Sequence, residues 1–569
     1  MTPEERERII SNEYADLLIN YNGNEALLKD YTDATVQIID FFNAVVHVPL
    51  NQITDNIIVM KGYSVMPSLY GLISDINAEK SGIARIRNIP FLNLRGKGVL
   101  VGIIDSGIDY TNPIFTYADN TTRIVSIWDQ TTNSENYPEN IFYGTEYIRD
   151  QINDALKSEN PLSVIPTNDE IGHGTMLAGI AAGNEDPKND FFGIAPDSEL
   201  VVVKLKQAKP YLKDFFRIPE TAVCYQENDI IFAIRYILSV AVELNRPISI
   251  CIALGTSQGA HDGSDILSNY LSFQADNIGV SLVVAAGNEG NARRHFYGVI
   301  APNDEYQSVE LNVGENEAGF SMELWGSSPR IFSIDILSPT GEFVPRIEAR
   351  FNENRYFTFV FEQATIFVDY QMVEAKGGDQ LILVRFRNPS PGIWKFKVYS
   401  RGKFQSEFHI WLPMSGFISD NTYFIESNPY TTILSLGNAA IPITVTSYNA
   451  IDDVLYIDAS RGYTRTGDVK PEIAAPGVDV RCPSVDKGFV TVSGTSPAAA
   501  HTAGVNALLL EWGIVKDNLR NMSTINIKNM IIRGGRRNMD VEYPNRDWGY
   551  GILDIYNIFD TLRGGIQPP

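Results

Sequence analysis

Apolar and polar positions follow three different rhythms along the chain. In residues 1–75, short apolar runs such as DLLINY, VQIIDFF and NAVVHVPL are divided by NGN and KGY turns, which predicts a small α+β unit. That unit ends in the Pro-containing YSVMPSLYGLISD, read as an extended strip. From about residue 97 the rhythm changes. Apolar strands GVLVGIID, ELVVVKL, PISICIAL and VSLVVAAG alternate with helix-length segments such as NDIIFAIRYILSVAVEL and a segment opening at His173. Strands without polar alternation, separated by helices, predict a doubly wound, mostly parallel α/β sheet with both faces covered. Between about 291 and 430 the runs SMELWG, RIFSIDIL, RYFTFVFE, QLILVRF, IWKFKVYS and EFHIWLP lie between PTGE, KGGD and NPSPG turns. Short alternating strands at that spacing predict an antiparallel β-sandwich. The α/β rhythm resumes in AIPITVTSY and ends in a helix beginning near Ser496. The expected organisation is therefore 1–75, then an α/β domain in two parts, 76–290 and 431–569, split by an inserted sandwich at 291–430.

Composition narrows the function classes. With 569 residues, 44% hydrophobic and 20% charged, the chain is an ordinary globular protein of several domains. Its formal charge of -23 is spread along its length and repels phosphate backbones and anionic membranes, so neither nucleic acid nor a membrane is an expected partner. Cys224, Cys251 and Cys482 are far apart and form no C-x-x-C pair, which argues against a disulfide framework or zinc site. The charged start MTPEERERII is not a secretory signal, and no run reaches the length of a membrane span. A cytoplasmic location is expected.

Candidate chemistry begins with a choice between two serines. SICIALGTSQG runs a strand into a G-x-S-x-G match at Ser257, the arrangement of a hydrolase nucleophile on a strand-to-helix turn. Against it stand three other polar residues at element ends. Asp105 closes the strand VLVGIID, at the sheet edge where open α/β folds build their sites. His173 opens a small-residue helix in IGHGTMLAGIAAG, and Ser496 opens another in SGTSPAAAHTAG. Singly, Asp105 and Ser496 read as turn or helix caps. Together, in the order Asp, His, Ser and each in a motif that admits close approach, they read as a catalytic triad. His261, His295, His409 and His501 could each serve Ser257 as a base, but none sits in a comparable motif.

These residues resemble the subtilisin-like serine proteases, the subtilases. The resemblance covers IIDSGID, GHGTMLAGIAAG, FFGIAPDSELVVVKL, VVAAGNEG, GDVKPEIAAPG and SGTSPAAAHTAG, essentially the whole α/β region. It implies a subtilisin-like fold and acyl transfer to water. Ser496 would attack the peptide carbonyl, His173 would take its proton, and Asp105 would orient the imidazole. Asn288 would donate to the oxyanion beside the backbone N–H of Ser496; the plainer alternative is a turn residue between glycines. IALGTSQG resembles the family's substrate-binding strand, with Thr256 in place of a glycine, which makes Ser257 a loop residue and His501 a structural helix histidine. A protein or peptide substrate is expected to add a strand along Leu254, Gly255, Ala285, Ala286 and Gly287.

The leading region resembles a propeptide, a further partner for the groove, with self-cleavage expected between about Met66 and Lys80; a permanent N-terminal domain is the alternative. The leaderless start and the jelly-roll-like insertion resemble the clostridial Csp germination proteases and their relatives. Active members of that group cleave the pro-form of a spore-cortex lytic enzyme, and others are signalling pseudoproteases without a triad. All three triad residues are present here, which favours an active endopeptidase over a catalytically silent binding protein. No cofactor is expected. The loop Asn184–Asp190 offers oxygen ligands where many subtilases hold structural calcium, but Lys188 inside it favours a solvated acidic loop.

Overall fold

The computed structural model describes residues 1–73 and 94–562, except 352, 375 and 403. The expected boundary at 75/76, and the part of the expected cleavage window beyond Ile73, lie outside the described residues.

The chain opens with the helix Pro3–Ile10, whose first turn is closed by a capping box: Glu5 N–H donates to the Thr2 hydroxyl, and Thr2 N–H to the Glu5 carboxylate. Three antiparallel strands follow, in the order Tyr14–Asn20, Asn43–Pro49, Thr35–Ile38. This unit is anchored to the α/β region by a buried carboxylate. Asp16 accepts from His47 Nδ1 at 2.7 Å, Lys209 Nζ at 2.6 Å and Gln226 Nε2 at 2.8 Å. Burial works to raise this carboxyl, but the charges of Lys209 and His47 hold it well below its ordinary value.

The α/β region is built on nine described strands. Their order is Val454–Leu455, Ile443–Asn449, Val280–Ala285, Ile248–Ile252, Leu100–Asp105, Glu199–Lys204, Ile124–Asp129, Thr145–Ile148, with Ile473–Pro476 also paired to Ile443–Asn449. Only Thr145–Ile148 and Val454–Leu455 pair antiparallel. The inner strands are buried on both faces, which is why they read as unbroken apolar runs. Helix His173–Ala182 can approach the central strand because residue 174 is glycine. A Cβ there would lie 2.1 Å from the Gly107 carbonyl oxygen and 3.2 Å from Asp105 Cβ.

The eleven described strands between His295 and Phe424 form two antiparallel sheets, of six and five strands, whose inward side chains share one apolar cluster. Where this segment meets the α/β region, aromatic rings stack. His261 lies 4.1 Å from Trp411 at 9°, and His295 and His409 stack on the same indole at 4.9 and 5.1 Å.

Candidate active site

Asp105 ends the central strand, and its neighbour Ser106 begins the turn that the structure uses to fix it. Asp105 Oδ1 accepts from Ser106 N–H at 2.7 Å, and the Ser106 hydroxyl sits between Asp105 Oδ1 at 3.0 Å and Asp169 Oδ1 at 2.8 Å. Asp169 also takes the N–H groups of Ile171, Gly172 and Thr175. Its bonds therefore pin the entry of the His173 helix to the Asp105 turn. His173 Nδ1 lies 2.8 and 2.9 Å from the two Asp105 oxygens, and both side chains are buried. His173 Nε2 has no hydrogen-bond partner among the described residues. Bonded to a carboxylate through Nδ1, the ring carries its proton there and leaves Nε2 as a free acceptor.

Ser496 stands at the second position of helix Thr495–Leu510. The chain enters this helix through Gly494 at φ +148°, a backbone conformation that L side chains rarely adopt. The Ser496 hydroxyl donates to the carbonyl oxygen of Ile73 at 2.6 Å, and Asn288 Nδ2 donates to the same oxygen at 3.2 Å. Asn288 is held in that orientation because its Oδ1 accepts from both Thr495 N–H and the Thr495 hydroxyl at 3.1 Å. One carbonyl of the N-terminal strip is thus gripped by two donors where acyl transfer would build an oxyanion.

The strip is the middle strand of a three-stranded antiparallel sheet. Leu69–Leu72 pairs with Leu254–Gly255 on one side, in the register Leu72↔Leu254 and Gly71↔Gly255. On the other side it pairs with Tyr225–Gln226. Ile73 N–H donates to the Ala253 carbonyl at 3.2 Å, which continues the ladder to the residue under Ser496. The Ile73 side chain meets Gly255, where a Cβ would be 2.9 Å from Ile73 Cδ1 and 2.4 Å from Leu434 Cδ1.

The expectation that Ala285, Ala286 and Gly287 form the second paired wall is corrected here. Their backbone is already used: Ala286 N–H donates to Val445, the Ala286 carbonyl accepts from Leu434, Gly287 N–H donates to the Thr495 hydroxyl, and the Gly287 carbonyl accepts from Ser460. The second wall is Tyr225–Gln226, too short to show as a strand in the sequence. Asp169 was also missed: it stands three residues before the N-cap Gly172, where no capping pattern points to it. Ser257 lies in the loop after Leu254–Gly255. His261, close to it, faces two backbone carbonyls, Ser257 O at 3.0 Å and Ile433 O at 2.8 Å, and is not aimed at the Ser257 hydroxyl as a base.

In the loop Asn184–Asp190 two of the three acids have partners. Glu185 pairs with Arg95 at 2.6 Å, and Asp186 accepts from the N–H groups of Lys188 and Asn189. Among the described residues, no group of three or more His, Cys, Asp or Glu side chains is arranged to hold a metal ion. No described helix is long and apolar enough to cross a membrane.

The chain matches the Subtilase family (Peptidase S8) over residues 96–312 and 422–551, more than half its length. It is similar to the PIII-type proteinase of Lactococcus lactis subsp. cremoris, with 22% identity over 82% of this chain and 25% of that one. It is also similar to the subtilisin-like protease SBT3.6 of Arabidopsis thaliana, with 24% identity over 73% and 56%. The chain thus spans about a quarter and just over half of these curated relatives. Among solved structures it is similar to the Clostridium perfringens CspB protease, with 30% identity, a TM-score of 0.74, and coverage of 83% of this chain and 94% of that one.

Proposed function

Because the chain belongs to the subtilase family, in the branch of the Clostridium perfringens CspB protease, we propose that it is a serine endopeptidase working through Asp105, His173 and Ser496, and that its first substrate is its own Ile73–Ser74 bond. The observation that carries this reading is the Ile73 carbonyl oxygen, held by the Ser496 hydroxyl and Asn288 Nδ2 at 2.6 and 3.2 Å.

Ser496 Oγ, whose hydroxyl points to the Ile73 carbonyl oxygen in the structure, turns its proton to His173 Nε2, a buried nitrogen without a hydrogen-bond partner among the described residues. The oxygen bonds to the carbonyl carbon, and the carbonyl oxygen becomes an anion stabilised by Asn288. Asp105, bonded to Nδ1, stabilises the imidazolium. His173 then gives the proton to the leaving amine, which departs, and water repeats the sequence on the acyl-enzyme with His173 again as base. Residues 1–73 act in this reading as a propeptide whose last residues remain as a product strand across the groove, and residues 291–430 as an inserted β-sandwich. The resemblance to the Csp group supports a zymogen of a spore-cortex lytic enzyme as the later substrate.

The test is a time course of the full chain after refolding. Wild-type protein should yield a large fragment whose first residue is Ser74, at a rate independent of protein concentration, because tethering supplies the proximity. Ser496→Ala should stay one uncut chain and should not react with a fluorophosphonate probe. A fragment starting elsewhere, or equal cleavage in Ser496→Ala, would overturn the reading.

A further inference from the structure

The subtilase match leaves out residues 313–421, so anything that span contributes to the groove is not part of the family domain. Near its end the chain returns to the N-terminal strip. Residues 414–417 make a tight turn, closed by the Phe417 N–H on the Met414 carbonyl at 3.0 Å. Gly416 sits in it at φ +84°, the left-handed kind of value that the third position of a type II turn takes.

The turn lays two apolar side chains over the strip. A Cβ on Gly71 would lie 3.1 Å from both Cε1 and Cζ of Phe417 and 3.3 Å from Met414 Cε. Comfortable carbon contacts are about 3.5–4.0 Å, so even a methyl group at residue 71 presses on both. Gly71 lies within the strand Leu69–Leu72 and outside the left-handed region, so the backbone there does not itself call for glycine. The covering side chains do.

Neither of them is free to retreat. Met414 and Phe417 are each 3% exposed. The turn is tied down at Ser415, whose N–H donates to Glu289 Oε1 at 2.9 Å and whose hydroxyl accepts from Arg294. Arg294 also donates to Glu289 Oε2 at 3.2 Å and to Asp420 at 2.8 Å, and past the turn Ser419 N–H donates to Glu317 at 3.1 Å. Glu289 directly follows Asn288, and its own N–H is bonded to Ser460 Oγ at 3.0 Å. The roof over Gly71 and the donor that grips Ile73 therefore hang on adjacent residues of one loop.

We propose that Met414 and Phe417 are specificity-determining residues, which restrict cleavage to protein segments carrying glycine at the third residue before the cut.

This deepens the peptidase reading and rests on it, because it takes the strip, with Ile73 at the cut, as a substrate mimic. A strand paired on both edges has only its two faces left for side chains, and at residue 71 the roof closes the one that the side chain would use. Extra carbon atoms forced into a packed site displace their neighbours. Alanine needs the roof to give by a few tenths of an ångström; leucine needs the Phe417 ring to leave.

The test compares quenched fluorescent peptides on the full chain. The reference is Ser-Leu-Tyr-Gly-Leu-Ile-Ser-Asp, taken from residues 68–75, and its partners carry Ala or Leu in place of the glycine. Since all peptides compete with the same strip, the ratios of their kcat/KM values do not depend on how much of the groove is free. The Gly peptide should exceed the Ala peptide by about fivefold and the Leu peptide by about a hundredfold, the span of overpacking penalties. Phe417→Ala, which opens the space, should bring the Gly/Leu ratio below about tenfold. Equal turnover of Gly and Leu peptides by wild-type protein, or an unchanged ratio in Phe417→Ala, would overturn the roof and leave the peptidase reading intact. Hydrogen exchange in the uncleavable Ser496→Ala chain gives a readout without chemistry. There Gly71→Leu should speed exchange at the Ser415 and Phe417 amides by about tenfold, and Phe417→Ala in the same chain should restore the Ser415 rate. Exchange unchanged by Gly71→Leu, or not restored by Phe417→Ala, would overturn the roof even if no peptide is cut. The expected exchange pattern with no wild-type turnover would count against the peptidase reading alone.

Discussion

His173 and the junction trio His261, His295 and His409 account for four of the chain's six histidines, and the two regions use the same ring in opposite ways. At the candidate active site, His173 has one nitrogen fixed by Asp105 and the other free among the described residues. At the junction, both nitrogens of His261 meet backbone carbonyls, and its ring is sandwiched against Trp411. His295 bonds His409 at 2.9 Å and the Asn428 carbonyl at 3.2 Å. A base needs a nitrogen with nothing else to do. A packing ring uses its one N–H on a backbone carbonyl and is otherwise held by stacking, here on Trp411.

The largest test of this contrast is a pair of substitutions. His173→Ala should lower kcat/KM on a peptide substrate by at least about a thousandfold, since the proton acceptor is gone, with little change in unfolding midpoint. His261→Ala should do the reverse: it removes a buried ring and should cost about 2–4 kcal/mol of stability in urea titration, while the folded fraction keeps most of its turnover. Matching losses of activity in both variants would erase the distinction.

Next in size is Asn288, the proposed oxyanion donor. Asn288→Ala should reduce kcat by about a hundredfold or more with KM nearly unchanged, as expected of an interaction made mainly in the transition state. A change confined to KM would assign Asn288 to substrate binding instead.

Acid should act on the junction next. Burial, outweighing the two carbonyl acceptors that favour the charged ring, lowers His261 to about 4, and burial lowers His295 to about 3. Both folded-state values lie below the ordinary 6.5, so protons bind the unfolded chain more readily. The stability these rings confer is complete above pH 6.5 and is lost as pH falls toward 4, by about 3 kcal/mol for His261 alone. Urea midpoints between pH 7 and 4.5 should fall less steeply for His261→Gln than for wild type; identical slopes would remove His261 from the acid response.

The smallest expected effect is at the other serine. Ser257→Ala should change kcat/KM by less than about threefold, because His261 is bound to the Ser257 carbonyl and is not directed at the hydroxyl. A loss as large as that of Ser496→Ala would return the nucleophile to the G-x-S-x-G loop.

Local chemistry in the sequence was enough to read the unbroken apolar strands and to single out Asp105, His173 and Ser496 as candidates. Burial on both sheet faces erases polar alternation, and close helix approach demands small residues such as Gly174, so both leave a pattern readable in one dimension. Of the strip read as extended, Leu69–Leu72 is a strand, whereas Tyr63–Val65 forms a 3-10 turn that the apolar run did not announce. What the tertiary structure alone decided is which backbone edges are free. Ala285–Gly287 and Leu254–Gly255 look equally suited to pair a substrate, yet the first is closed by Val445, Leu434, Ser460 and Thr495 while the second holds Leu72 and Gly71. The same holds for Tyr225–Gln226, for Asp169, and for the turn at 414–417 that covers Gly71. Hydrogen bonds between residues hundreds of positions apart, such as Ser496 to Ile73, depend on where the whole fold brings the chain, and no local pattern encodes that meeting.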